Sequence, residues 1–127
     1  MKYGFSKTVD LSFEAAIEKV TVELKKEGFG VLTTIDVKET MKNKLNVDFP
    51  KYKILGACNP TLAHQALSTD DQIGLLLPCN VIVYEKENQI HVSIFNPMLI
   101  PRIIENDSMN EMAESVTNKL ERVLSAI

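Results

Sequence analysis

Apolar residues recur along the chain at two spacings, every second residue and every third or fourth, which predicts a mixture of strands and helices. Residues 2–9 have apolar side chains at alternate positions, which is typical of a half-buried strand. Residues 13–26 have them three and four apart, after a Ser12 N-cap and before Gly28, which predicts a helix.

The same two spacings continue to the end of the chain. They predict further strands at 29–37, 52–57, 79–85 and 90–95, a short helix from an Asp36 cap to Leu45, and helices at 60–67 and 108–127, the last with a Ser108 N-cap. Residues 86–89 are a polar turn, so the strands on either side of it form a hairpin. In the segment 96–104, NPMLIPRII, two prolines argue against regular structure.

Strands mixed with helices, together with the hairpin, favour an α+β fold with one largely antiparallel sheet and helices packed on one face. The 127 residues contain no repeat, linker or low-complexity segment, so we expect a single domain over 1–127. Hydrophobic residues make up 45% of the chain, which supplies a core without disulfide staples.

Charge and composition argue against several classes of function. The net charge is −3 with no basic block, which argues against nucleic-acid binding. The longest strongly apolar run, IGLLLP, is far too short to span a bilayer, and the first residues lack the apolar stretch of a signal peptide. We therefore expect a cytoplasmic protein with no membrane partner, whose thiols stay reduced.

The chain has two cysteines, each beside an asparagine and a proline. Cys58 precedes a predicted helix, where backbone N–H dipoles favour a thiolate; the alternative is a small core residue at the end of a strand. Cys79 opens the strand 79–85. If the strands 52–57 and 79–85 are antiparallel neighbours, both thiols lie at the same end of the sheet, whereas parallel strands would separate them.

The asparagines of the two motifs also have two interpretations. Asn59 is a favoured N-cap before Pro60, and the Asn80 side chain can hold a turn. Alternatively, both amides line a small pocket for an anion or a thiol, together with the helix N-terminus.

Neither a metal site nor a familiar catalytic site is indicated. His64 and His91 are the only histidines, both opposite the apolar face of their elements, and the cysteines lack CxxC spacing. No GxSxG, Walker, HExxH or GxGxxG sequence occurs. We therefore expect no metal and no cofactor, and beyond the thiols no feature favours an enzyme.

The cysteine motifs and the residues around them resemble a known family. The stretches ILGACNP and ALSTDDQIGLLLPCNVIVYE, and before them SFEAAIEKVTVELKKEGFGVLTTIDV, are similar to the prokaryotic family catalogued as domain of unknown function 302. The resemblance implies a compact α+β fold of TATA-binding-protein-like topology, a homodimer, and a sulfur or redox partner. The motif positions that it carries over are Cys58, Asn59, Pro60, Pro78 and Cys79.

Two hypotheses of function follow. The first is a small-molecule-binding or thiol/redox-accessory protein, in which Cys58 is the more thiolate-like residue and Cys79 a resolving partner. Its pocket is formed by Cys58, Asn59, Pro60, Pro78, Cys79 and Asn80. The second is a non-catalytic dimeric interaction module whose cysteines are only core residues. Its partner surface consists of the last helix and the segment that carries Met98, Leu99, Ile100 and Ile103.

Overall fold

The computed structural model describes residues 2–127, which form one five-stranded sheet with five α-helices. The elements are β1 (Gly4–Val9), α1 (Phe13–Lys26), β2 (Gly30–Asp36), α2 (Val37–Leu45), β3 (Tyr52–Cys58), α3 (Pro60–Thr69), β4 (Cys79–Lys86), β5 (Gln89–Phe95), α4 (Leu99–Ile103) and α5 (Asn110–Ser125). Two short 3-10 helices, Asp71–Leu76 and Asp107–Met109, precede β4 and α5. No helix within residues 2–127 is long and apolar enough to cross a bilayer.

The strand order is β1-β5-β4-β3-β2, and every neighbouring pair is antiparallel. The α+β fold predicted from the hydrophobic pattern is therefore confirmed. The predicted hairpin joins β4 and β5 through Glu87 and Asn88, whose φ angles of 53° and 62° are those of a tight two-residue hairpin turn.

The main core lies between one face of the sheet and the helices α1 and α5. Its helical residues follow the predicted three- and four-residue spacing, and its strand residues alternate as the sheet requires. They include Ala16, Val20 and Leu24 of α1, Leu120 and Val123 of α5, and Leu55, Val81, Val83, Val92 and Ile94 of the sheet. The predicted cap of α1 is also present, since Ser12 Oγ accepts a hydrogen bond of 3.1 Å from the Ala15 N–H.

A smaller apolar cluster lies beside the main core. Its buried residues are Ala66 of α3, Ile73 of the 3-10 helix, Ile100 of α4, and Met109. This cluster therefore packs the segment that follows β3 against the segment that follows β5.

The segment 96–104 and the start of α5 differ from the prediction. Residues 99–103 are helical despite Pro101, because the N–H groups of a first helical turn have no partner within the helix and proline loses nothing there. The last helix begins at Asn110 rather than at Ser108. Asn106 caps the preceding 3-10 helix by accepting a hydrogen bond from the Ser108 N–H.

The face of the sheet opposite α1 and α5 carries a row of aromatic rings. Tyr52 stacks on Tyr84 at 5.3 Å between centroids, and Tyr84 stacks on His91 at 5.0 Å. Thr8 Oγ1 lies 3.2 Å from Nδ1 of His91. The rings cover one another's faces, so this row is no open platform for stacking bases.

Gly56 of β3 is required by a close approach of its neighbours. A Cβ atom at this position would lie 2.8 Å from Cγ of Pro78 and closer still to Oγ1 of Thr33. Gly30 of β2, in contrast, has no atom within 4 Å of the corresponding position.

We therefore expect Gly56→Ala to lower the free energy of unfolding by about 1–3 kcal/mol, the usual cost of overpacking. Urea unfolding followed by circular dichroism measures the loss. The matched control is Gly30→Ala, which should leave stability equal or slightly higher. Equal midpoints for the two variants would contradict the prediction.

Candidate functional site

Antiparallel pairing of β3 and β4 brings the two cysteine motifs together. The register pairs Ala57 with Cys79, and Cys58 is the next residue of β3. The Cα atoms of Cys58 and Cys79 are thus about 6 Å apart, given ordinary strand spacings. Of the two arrangements considered from the sequence, the structure has the one that puts both cysteines at the same end of the sheet.

The two thiols are nevertheless not bonded to each other. Successive side chains of a regular strand point to opposite faces. In such a strand the Cys58 side chain would lie on the face opposite those of Ala57 and Cys79. A short Cα separation alone does not make a disulfide, which also requires Cβ atoms directed toward each other.

Cys79 is held in its neutral form. It is buried at the start of β4, and this burial, with a smaller effect from the neighbouring Cys58, raises the pKa of the Cys79 thiol to about 11. A thiol with this pKa is protonated at neutral pH and is a poor nucleophile. The partly exposed Cys58 is thus the more accessible of the two sulfur atoms.

Asn59 is committed to the fold as the cap of α3. Its Oδ1 accepts a hydrogen bond of 3.2 Å from the Leu62 N–H, and Pro60 occupies the first helical position. On its other side, a Cβ added to Gly28 would come within 2.9 Å of the Asn59 Nδ2. The capping interpretation is therefore confirmed.

A cavity of about 370 Å³ lies where β3 ends and β4 begins. Its wall comes from β2, β3, β4, α3, the first 3-10 helix, Pro97 and Ile100, and α5 with Met109 before it. Four of the six residues predicted for a pocket line it, namely Cys58, Asn59, Pro78 and Cys79. The other two lie elsewhere: Pro60 is exposed on α3, and Asn80 is exposed in β4, where it pairs with Gly56.

The remaining wall residues are almost all apolar, and many are small. They include Ala57, Ala63, Ala66 and Ala113, the larger Leu62, Ile73, Met112 and Val116, and Phe29. Among residues 2–127, no Asp, Glu, Lys, Arg or His lines the cavity. Sequence periodicity identifies several of these residues as inward-facing, but it cannot show that they surround a space rather than fill it.

A β-bulge sets one side of the cavity mouth. The register of β2 against β3 shifts between Val31 and Thr33, which leaves Leu32 as the extra residue. Leu32 is 69% exposed, yet it contributes to the cavity wall. Leu67 of α3, another wall residue, is 41% exposed.

No three His, Cys, Asp or Glu side chains within residues 2–127 are grouped so that they could hold a metal ion. His64 is exposed on α3, as expected from its helical position. His91 lies in the aromatic row on the face opposite the helices, far in register from the cysteine end of β4.

The residues predicted for a partner surface have different environments. Ile100 is only 8% exposed, belongs to the smaller apolar cluster and lines the cavity. Met98 and Leu99 are partly buried, whereas Ile103 is 56% exposed. The partner surface itself stays a prediction.

The two thiols should differ in alkylation by iodoacetamide without denaturant. In Cys58→Ser, which keeps Cys79, about one thiol in a thousand is ionised at pH 8 if its pKa is about 11. Its labelling should be slow and accelerate roughly tenfold per pH unit up to about pH 11, because only the thiolate reacts. Cys79→Ser is the matched variant, and mass spectrometry follows both. Equal rates at pH 8 would contradict the assignment.

The family described as domain of unknown function DUF302 matches residues 5–127. The crystal structure of an uncharacterized conserved DUF302 protein from Bacillus stearothermophilus is 27% identical and superposes with a TM-score of 0.93, covering 99% of this chain and 98% of that one. No curated protein matches. The match over residues 5–127 shows that the chain belongs to the DUF302 family.

Proposed function

We propose that the protein binds an apolar small molecule in the cavity where β3 ends and β4 begins. The observation that carries this proposal is the wall itself, which encloses about 370 Å³ and holds no charged side chain among residues 2–127. Volumes of 300–1,000 Å³ with predominantly apolar walls are typical of small-molecule sites.

The open mouth of the cavity argues against a simple packing defect. The space has a mouth at which Leu32 and Leu67 reach solvent, so it is not a sealed void left by poor packing. A space of this size is therefore filled by water or by a ligand, and water gains few hydrogen bonds from an apolar wall.

The cysteines support binding more than disulfide chemistry. Cys79 is a neutral thiol within the wall, and its raised pKa makes it a poor resolving partner for Cys58. Cys58, at the end of β3, is partly exposed, so its sulfur atom is the more accessible one to a bound molecule. A thiol or redox-accessory role would depend on Cys58 alone.

Binding can be tested with N-phenyl-1-naphthylamine, an uncharged dye that fluoresces in apolar surroundings. We expect Ala113→Leu, which adds bulk to the cavity wall, to weaken dye binding at least tenfold while leaving the melting temperature equal or higher. Ser115→Leu adds the same bulk to an exposed position of α5 and should bind the dye like the unchanged protein. Absence of dye binding to the unchanged protein would refute the proposed function.

We also propose homodimerisation through the sheet face opposite α1 and α5. Ile54 and Ile82 lie at the centre of this face, Ser6 and Ser93 lie beside them, and none carries a charge. Charged residues make up 24% of the whole chain, so their absence from these four positions is a local depletion. The centres of protein interfaces typically have few charged residues and many aromatic ones. Five strands of this length offer about 500 Å² per copy in projection, near the lower limit for specific dimers.

The dimer proposal predicts that Ile82→Lys converts a dimer into a monomer, because the new charge would be buried without a partner. Multi-angle light scattering after size-exclusion chromatography gives the mass. Ile103→Lys, at an exposed position of α4, is the control and should remain dimeric. A monomer for Ile103→Lys and a dimer for Ile82→Lys would instead place the interface on the 96–104 segment.

A further inference from the structure

We infer that the ligand of the cavity is an uncharged hydrocarbon-like chain or ring system of about a dozen non-hydrogen atoms. This inference rests on the proposed function and specifies the chemical class that the same site accepts. Three features of the wall support it: its ionisable groups, its polar atoms and its mouth.

The wall offers no partner for a charged group. Its only ionisable side chains within residues 2–127 are the thiols of Cys58 and Cys79, and the Cys79 thiol is neutral at physiological pH. An ionised carboxylate or ammonium that leaves water without a counter-charge loses several kcal/mol of hydration, which apolar contacts must then offset. A neutral molecule of the same shape avoids that loss.

Apart from the two thiols, the polar side chains of the wall within residues 2–127 are those of Asn59 and Thr33. Oδ1 of Asn59 accepts the Leu62 N–H, and its Nδ2 lies against Gly28. Oγ1 of Thr33 lies beside the position that a Cβ of residue 56 would occupy. Neither side chain carries a charge that could balance an anionic head group.

The mouth is uncharged as well. The exposed wall side chains are Leu32, placed by the β2 bulge, Leu67 and the uncharged Thr33. Exposed leucines gain free energy when a hydrocarbon covers them, roughly 25 cal/mol for each Å² removed from water. They give an ionised head group at the entrance nothing to bind.

The volume limits the size of the ligand. At the ~30 Å³ that a water molecule occupies in the liquid, 370 Å³ corresponds to about 12 non-hydrogen atoms. A ten-carbon alcohol fits this limit, and a larger molecule, such as the dye N-phenyl-1-naphthylamine, would extend in part through the mouth.

The test compares three ligands with the same ten-carbon chain, namely decanol, decanoate and decylammonium. Each competes with N-phenyl-1-naphthylamine at pH 7.5, below its micellar concentration. We expect decanol to displace the dye at a concentration at least tenfold lower than either ion. If the dye binds but all three compete equally, the inference is overturned while the proposed function stands; if the dye does not bind, the proposed function itself fails.

A charge at the mouth should change this selectivity. We expect Leu32→Lys to improve competition by decanoate several-fold, because the lysine ammonium can pair with the carboxylate of decanoate. Competition by decylammonium should not improve. The position is 69% exposed, so the substitution should be tolerated by the fold. Leu75→Lys is the control, since Leu75 is 82% exposed and lies outside the cavity wall. Unchanged competition by decanoate in Leu32→Lys would count against the inference.

Discussion

The pairing of Ala57 with Cys79 is the contact on which the arrangement of the cavity depends. It sets the register of β3 against β4 and thereby brings two motifs, twenty residues apart in the chain, to one end of the sheet. A shift of β4 by one residue would reverse which of its side chains face the helices. Val81 would then leave the core, and Cys79 would leave the cavity wall. Gly56 allows this register, because a side chain there would collide with Thr33 and Pro78.

The cavity arises because small side chains meet where several elements end. Ala57, Ala63 and Ala113 approach one another from a strand and two different helices, and none is long enough to fill the space between them. Interiors normally close such gaps, since packing density is close to that of organic crystals. Here the segments from α3 to β4 and from β5 to α5 are held by their own packing around Ile73 and Ile100. They do not collapse onto the sheet.

The parts of this structure that local patterns encode could be predicted from the sequence. Ser12 and Asn59 cap helices as expected, because capping requires only residues within one turn. The hydrophobic spacing likewise identifies α1 and the alternation of β5. The helix that contains Pro101 could not be predicted, because proline is tolerated only in the first turn and the local pattern does not show where that turn begins.

The site could be predicted only in part, because its geometry is set by contacts between distant residues. The sequence allows two arrangements of Cys58 and Cys79, and the antiparallel pairing of β3 with β4 decides between them. The burial that raises the pKa of Cys79 has no local signal. Leu32 is a wall residue through a bulge, which shifts the register and interrupts the alternation that strand prediction uses. Asn80, like Asn59, directly follows a cysteine, yet its side chain is exposed and lies outside the cavity wall.

The division of the interior into two clusters has a consequence for dynamics. The smaller cluster, around Ile73, Ile100 and Met109, buries far fewer side chains than the core beneath the sheet. Regions with few buried contacts open at a lower free energy than the whole domain, as cooperative units of their own. The wall formed by α3, the 3-10 helix and α4 can therefore detach and reclose while the sheet stays folded. Such opening would widen the mouth of the cavity, while β3 and β4 keep the opposite side of its wall in place.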